Sequence, residues 1–166
     1  MNETQQAAGI LAAWVFLGSG CAPSVDAPPA VDRAADEATL LQMHQAVIQA
    51  HLDGSVDDWM ALEEDPYVSA NAGEVSFADA AERRARREPY LMSASFTQYE
   101  DLRPPVVRIS DDGSLGWLIA EVQVRGVSTA TDGAETPIEM IAAWIELYEK
   151  RAGEWKIVGN VSNRRP

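Results

Sequence analysis

The chain has 166 residues, with 13 Lys and Arg against 26 Asp and Glu and a formal net charge of −13. An excess of that sign lacks the basic footprint that phosphate neutralisation needs, so it excludes nucleic-acid binding and disfavours docking on anionic lipid through surface charge. An apolar fraction of 46% with 23% charged residues is that of one globular domain able to bury a core.

Ala7 to Leu17, AAGILAAWVFL, is an apolar run too short for a membrane-spanning helix of about 20 residues, and reads as the apolar segment of a signal peptide. It ends in Leu17-Gly18-Ser19-Gly20-Cys21, which resembles a bacterial lipobox. Cys21 is the only cysteine and cannot form an internal disulfide, so its place suits lipidation. The expected organisation is a lipoprotein-type signal peptide over 1–20, a mature N-terminus at Cys21, a Pro/Ala/Asp-rich tether over 21–35 and one domain over 36–166. Localisation follows: anchored by lipid to a bacterial membrane in the cell envelope, with secretion as the alternative.

The periodicity of Leu40, Leu41, His44, Val47, Ile48 and His51 predicts a helix from Asp36 to Asp53, stopped by Gly54. A short second helix is expected over Val56 to Leu62, capped by Ser55 or Asp57 and anchored by Trp59. Tyr67 to Val75 reads as strand, turn and strand. A third helix is expected to start at Ser76, where S-x-x-D makes a capping-box variant, and to end at Arg87 before Pro89. Its run Arg83-Arg84-Ala85-Arg86-Arg87 reads as a solvated helix face, with anion binding as the other reading.

The remainder is sheet: Phe96 to Ile109 interrupted by Pro104-Pro105, then Trp117 to Val127, Ile138 to Tyr148 and Trp155 to Ser162. Helices followed by antiparallel strands make an α+β pattern. Lys150-Arg151-Ala152-Gly153 predicts a three-residue hairpin loop pairing Lys150 with Glu154. That register puts Ile141, Ala143, Ile145, Leu147, Trp155, Ile157 and Val161 on the core face. It leaves Trp144, Glu146, Tyr148, Lys156, Val158, Asn160 and Ser162 on the other, a mixed face needing a partner or ligand.

The element order, with Trp117 in SLGWLIAEVQV, Trp144 in AAWIELYEKRAGEWKIVGNVSN and Tyr90 in EPYLMSASFTQYEDL, resembles the nuclear-transport-factor-2-like superfamily. SnoaL-like and ketosteroid-isomerase-like proteins are the nearest members. The resemblance covers roughly Ala35 to Arg164 and implies a cone: a curved antiparallel sheet wrapped around three N-terminal helices, a cystatin-like roll with a pocket at its open end. It also implies frequent dimers through the sheet. Ketosteroid isomerases carry an acidic base on the strand after the second helix; the matching stretch here, Tyr67-Val68-Ser69-Ala70-Asn71, has no carboxylate.

His44 and His51 share the apolar stripe of the first helix. Their spacing of seven residues, roughly 10 Å of rise, is too wide for one metal ion, so no metal site is expected. Either could serve as a general base if Glu121 or Glu146 oriented it; the alternative for each is a satisfied core histidine. Glu100 and Asp101 are weaker carboxylate candidates. Trp59, Tyr90, Phe96 and Tyr99 are the candidate wall of an apolar ligand site. Trp117, Gln123, Trp144 and Tyr148 are the candidate homodimer interface. Nucleotide, zinc-hydrolase and thiol motifs are absent, so no cofactor is expected. The expected function is binding of a small, partly apolar molecule, or a dimeric interaction module. The alternative is an isomerase, dehydratase or cyclase using a pocket histidine as base.

Overall fold

The computed structural model describes residues 31–165; the expected signal peptide, Cys21 and most of the expected tether lie outside them. Helix α1 spans Arg33–Asp53 and starts earlier than periodicity predicts, because the Asp32 side chain accepts from the Ala35 N–H and caps it. Gly54, at φ 66°, stops it. Helix α2 spans Val56–Ala61 with Ser55 as its cap. Strands β1 (Glu63–Asn71) and β2 (Glu74–Ser76) turn through Ala72 and Gly73, both at positive φ.

Helix α3 spans Ala80–Ser93. Its capping box is Asp79 with Glu82, three residues beyond the expected start, and Pro89 sits inside the helix rather than ending it. The proline removes one backbone donor, yet Leu91, 4% exposed, anchors the turn that follows.

Strands β3 (Ala94–Asp101) and β4 (Val106–Ile109) both pair antiparallel with β5 (Leu115–Thr129). Pro104-Pro105 thus cut one edge into two strands lying end to end on β5. Strands β6 (Glu135–Arg151) and β7 (Glu154–Arg165) complete a sheet ordered β2-β1-β7-β6-β5-β3, with β4 beside β5. The sheet is curved, unclosed and mixed, since β1 runs parallel to β7 while the other pairs are antiparallel. This is the α+β roll expected, with one parallel junction that joins its first and last strands.

The hairpin register corrects the expectation. Arg151 pairs with Glu154 across a two-residue turn in which Ala152 (φ 51°) and Gly153 (φ 89°) are both left-handed, the type I′ arrangement. Val158 is then left unpaired, between the Tyr148–Ile157 and Leu147–Gly159 pairs, as a bulge. Tyr148 and Ile157 therefore share a face with Trp144, Glu146 and Trp155, and it is the inner one, covered by α1. Ile141, Ala143, Ile145 and Leu147 face outward. The two faces are the reverse of those expected for β6.

The core lies between α1 and the inner sheet face, with Leu40, Leu118, Val122, Val124 and Tyr148 fully or almost fully buried. Asp36 is buried with it, accepting from Lys150 Nζ and from Trp155 Nε1 at 2.9 Å. This ties the first turn of α1 to the last hairpin.

Candidate functional site

A cavity of about 350 Å³ opens between α1, α2, α3 and the inner faces of β1, β6 and β7. Five aromatic residues, Trp59, Tyr67, Tyr90, Tyr99 and Trp144, line it together with His51 and a set of polar and charged residues. The His51 ring packs 4.2 Å from Trp59 and 4.6 Å from Tyr99, centroid to centroid. Of the expected ligand-wall residues, Trp59, Tyr90 and Tyr99 line the cavity, whereas Phe96 stands behind them, 5.5 Å edge-on to Tyr99.

The two histidines have different environments. His51 Nδ1 donates to Val47 O at 2.8 Å, and burial pushes its pKa down to about 4, so it is neutral with Nε2 as the remaining acceptor. His44 is fully buried behind the cavity wall, its Nε2 3.0 Å from Asp101 Oδ1 and its Nδ1 3.6 Å from Glu146 Oε2. Burial alone would lower its pKa, but Glu146 and Asp101 outweigh burial and raise it.

Glu146, 3% exposed, reaches the cavity and accepts from the Tyr148 hydroxyl through Oε2. The result is a buried chain running Asp101, His44, Glu146, Tyr148, with one carboxylate at the cavity. Glu146 is thus beside His44 as expected of an orienter, but it, and not His44, meets the cavity. Glu121 does neither: alternation along β5 sends Ala120 and Val122 inward and Glu121 outward, where it pairs with Arg103. Asp101 partners His44 from 57 residues away, which only the closure of β3 onto α1 arranges.

The expected interface residues also divide. Trp117 and Gln123 point outward on β5, while Trp144 and Tyr148 are inside, Tyr148 1% exposed. The reason is the two-residue-turn register of β6 against β7 described above. Outside, Val106, Leu115, Trp117, Ile119 and Val161 make an exposed apolar strip.

Sequence reasoning gave the arginine run mainly as a solvated face. Arg83 is instead buried, with Nε 3.0 Å from Glu63 Oε2 and a further pair to Asp65. Arg87 shares Glu63 and lies 4.0 Å over the Trp59 ring. Glu63 and Tyr67, outside the expected site, hold this corner of the cavity together; a glutamate opening a strand was the available signal. Trp144 Nε1 is a buried donor with no partner among the described residues, and its ring lines the cavity.

No family model matches the sequence, and no curated protein matches it. Solved structures match over most of the chain. A ketosteroid isomerase-like protein from Erwinia carotovora atroseptica superposes with a TM-score of 0.63 at 16% identity, over 79% of this chain and 97% of that one. A nuclear-transport-factor-2-like protein from Cytophaga hutchinsonii gives 0.61 at 11% identity, over 77% and 97%. An uncharacterised cystatin-like-fold protein from Caulobacter vibrioides gives 0.62 at 9% identity, over 80% and 91%.

Proposed function

The chain has the nuclear-transport-factor-2-like fold, and from that premise we propose that it binds a small, partly apolar molecule in the cavity between its helices and the inner sheet face. The observation that carries the reading is the cavity itself, about 350 Å³, with Trp59, Tyr67, Tyr90, Tyr99 and Trp144 along it and Ser69, Asn71, Asn160 and Ser162 as its neutral polar groups. Sites for small molecules combine such apolar walls with a few placed polar groups.

Native mass spectrometry of the gently purified chain tests this. The expected result is a retained small adduct that disappears in Ala142→Phe, which fills the cavity from β6 while circular dichroism stays unchanged. An adduct surviving in that variant would place binding elsewhere.

A second reading, an enzyme of the isomerase, dehydratase or cyclase type, draws on one observation: Glu146 is a buried carboxylate that reaches the cavity, backed by His44 and Tyr148. In this reading Glu146 moves the proton and His44 positions it, the reverse of the roles expected from sequence. Glu146→Gln would then retain the adduct and lose turnover.

The outer apolar strip supports a homodimer through the sheet. Lipidation of Cys21 and an envelope location belong to the same proposal. Metabolic labelling with an alkynyl fatty acid, lost in Cys21→Ser, would test them.

A further inference from the structure

We infer that the cavity's ligand is a small organic acid whose carboxylate is held at the mouth by Arg86 and Arg164, with its apolar body against the aromatic wall; this rests on the binding reading above. The argument is one of charge accounting. Acidic residues outnumber Lys and Arg by 26 to 13, so most cations have a carboxylate within reach. On α3, Arg83 pairs with Glu63 and Asp65, Arg84 with Asp57, and Arg87 with Glu63.

Arg86, on the same helix and at the cavity, contacts only neutral acceptors: Glu82 O at 3.3 Å and Ser76 Oγ at 3.4 Å. Arg164, near the end of β7, also lines the cavity and forms no ion pair among the described residues. Both therefore line one cavity, Arg86 from α3 and Arg164 from the end of β7, and Tyr90, one turn beyond Arg86 on the same face of α3, lines it too.

The rest of the lining supplies no free carboxylate to compete for them. Ser69, Asn71, Asn160, Ser162 and Asn163 are neutral. The two lining carboxylates are engaged, Glu63 by Arg83 and Arg87, and Glu146 by Tyr148 with His44 alongside. An incoming anion therefore meets two uncommitted guanidinium groups, whose planar forks suit a carboxylate. Beyond them lie Trp59, Tyr99 and Trp144, which suit an apolar body. An unneutralised cationic mouth on a strongly acidic chain also draws anions selectively.

Isothermal titration of the full chain with matched pairs tests this: naphthalene-2-carboxylate against naphthalene-2-methanol, and octanoate against octanol. The expected result is at least about tenfold tighter binding of the acid in one pair at low salt, a preference that shrinks as salt is added. The double variant Arg86→Gln/Arg164→Gln should lose that preference while binding the alcohol as before, which also reports an intact fold. Equal affinities within both pairs, or a preference that survives in the double variant, would overturn the acid inference and leave the binding reading standing. No binding of any of the four compounds would overturn the binding reading, and the inference with it.

Discussion

His44 Nε2 lies 3.0 Å from Asp101 Oδ1, while His51, two turns along the same helix, bonds only to the backbone carbonyl of Val47. The two histidines therefore act on stability in opposite directions as pH changes. His44 has its pKa raised above 6.5 by Glu146 and Asp101 against the effect of burial, so its contribution is complete below about pH 6.5 and is lost as pH rises through the raised value. His51 has its pKa lowered to about 4 by burial, so its contribution is complete above 6.5 and is lost as pH falls through about 4. That loss is about 3 kcal/mol. Urea midpoints measured across pH should peak near neutrality. His51→Phe should flatten the acid limb and His44→Gln the alkaline one; a limb unchanged in its variant would refute that assignment.

Glu63 is the common acceptor of two arginines, its side chain 1% exposed. Glu63→Gln strands two guanidinium groups, one of them fully enclosed, and should cost about 3–5 kcal/mol. Chemical denaturation would show this as a large drop in midpoint with little change in slope. A loss below about 1 kcal/mol would mean that Asp65 alone satisfies Arg83.

Two glycines should respond differently to the same change. A Cβ at Gly126 would lie 2.3 Å from Ser95 O and 2.9 Å from Phe96 Cα, both backbone atoms of the paired strand β3. Gly126→Ala should cost about 3 kcal/mol or prevent folding. At Gly153 the space is open, but φ is +89°, so Gly153→Ala should cost only about 1 kcal/mol through backbone strain. Thermal melts of both variants would decide; similar losses would contradict the clash argument.

The outer strip should govern self-association if the homodimer forms through it. Ile119, 41% exposed, pairs with Ile145 across the β5–β6 ladder and lies two residues from Trp117. Ile119→Lys should shift sedimentation velocity from dimer to monomer without loss of melting cooperativity, whereas Thr97→Lys, away from the strip, should not. A wild-type chain sedimenting as a monomer at high concentration would sink this expectation.

Much of the architecture was legible because it depends on local chemistry. Gly54 and Ser55 are sufficient to separate α1 from α2, and the acid-rich turn at Asp111 to Ser114 closes β4 onto β5. The faces of β6 were not legible, because hydrophobicity runs against its usual meaning there. The inward positions hold Trp144, Glu146 and Tyr148, whereas the outward ones hold Ile141, Ala143, Ile145 and Leu147. Alternation alone then selects the wrong side, and the unpaired Val158 shifts the far half of the ladder by one more residue. The partners of His44 and Arg83 were beyond reach for another reason: Asp101 and Glu63 come from strands brought in only when the chain folds.

The parallel junction also has a consequence for biosynthesis. Strand β7 lies between β1 and β6, with Glu63 opposite Ile157 and Asn71 opposite Ser162. The ribosome delivers β7 after every other strand described. Until then β1 and β6 have no common neighbour, and the nascent domain exposes two unpaired strand edges together with its aromatic interior. Such species aggregate or recruit holding chaperones. A premature stop before Glu154 would leave no smaller working cavity, only two halves of a sheet with nothing to join them.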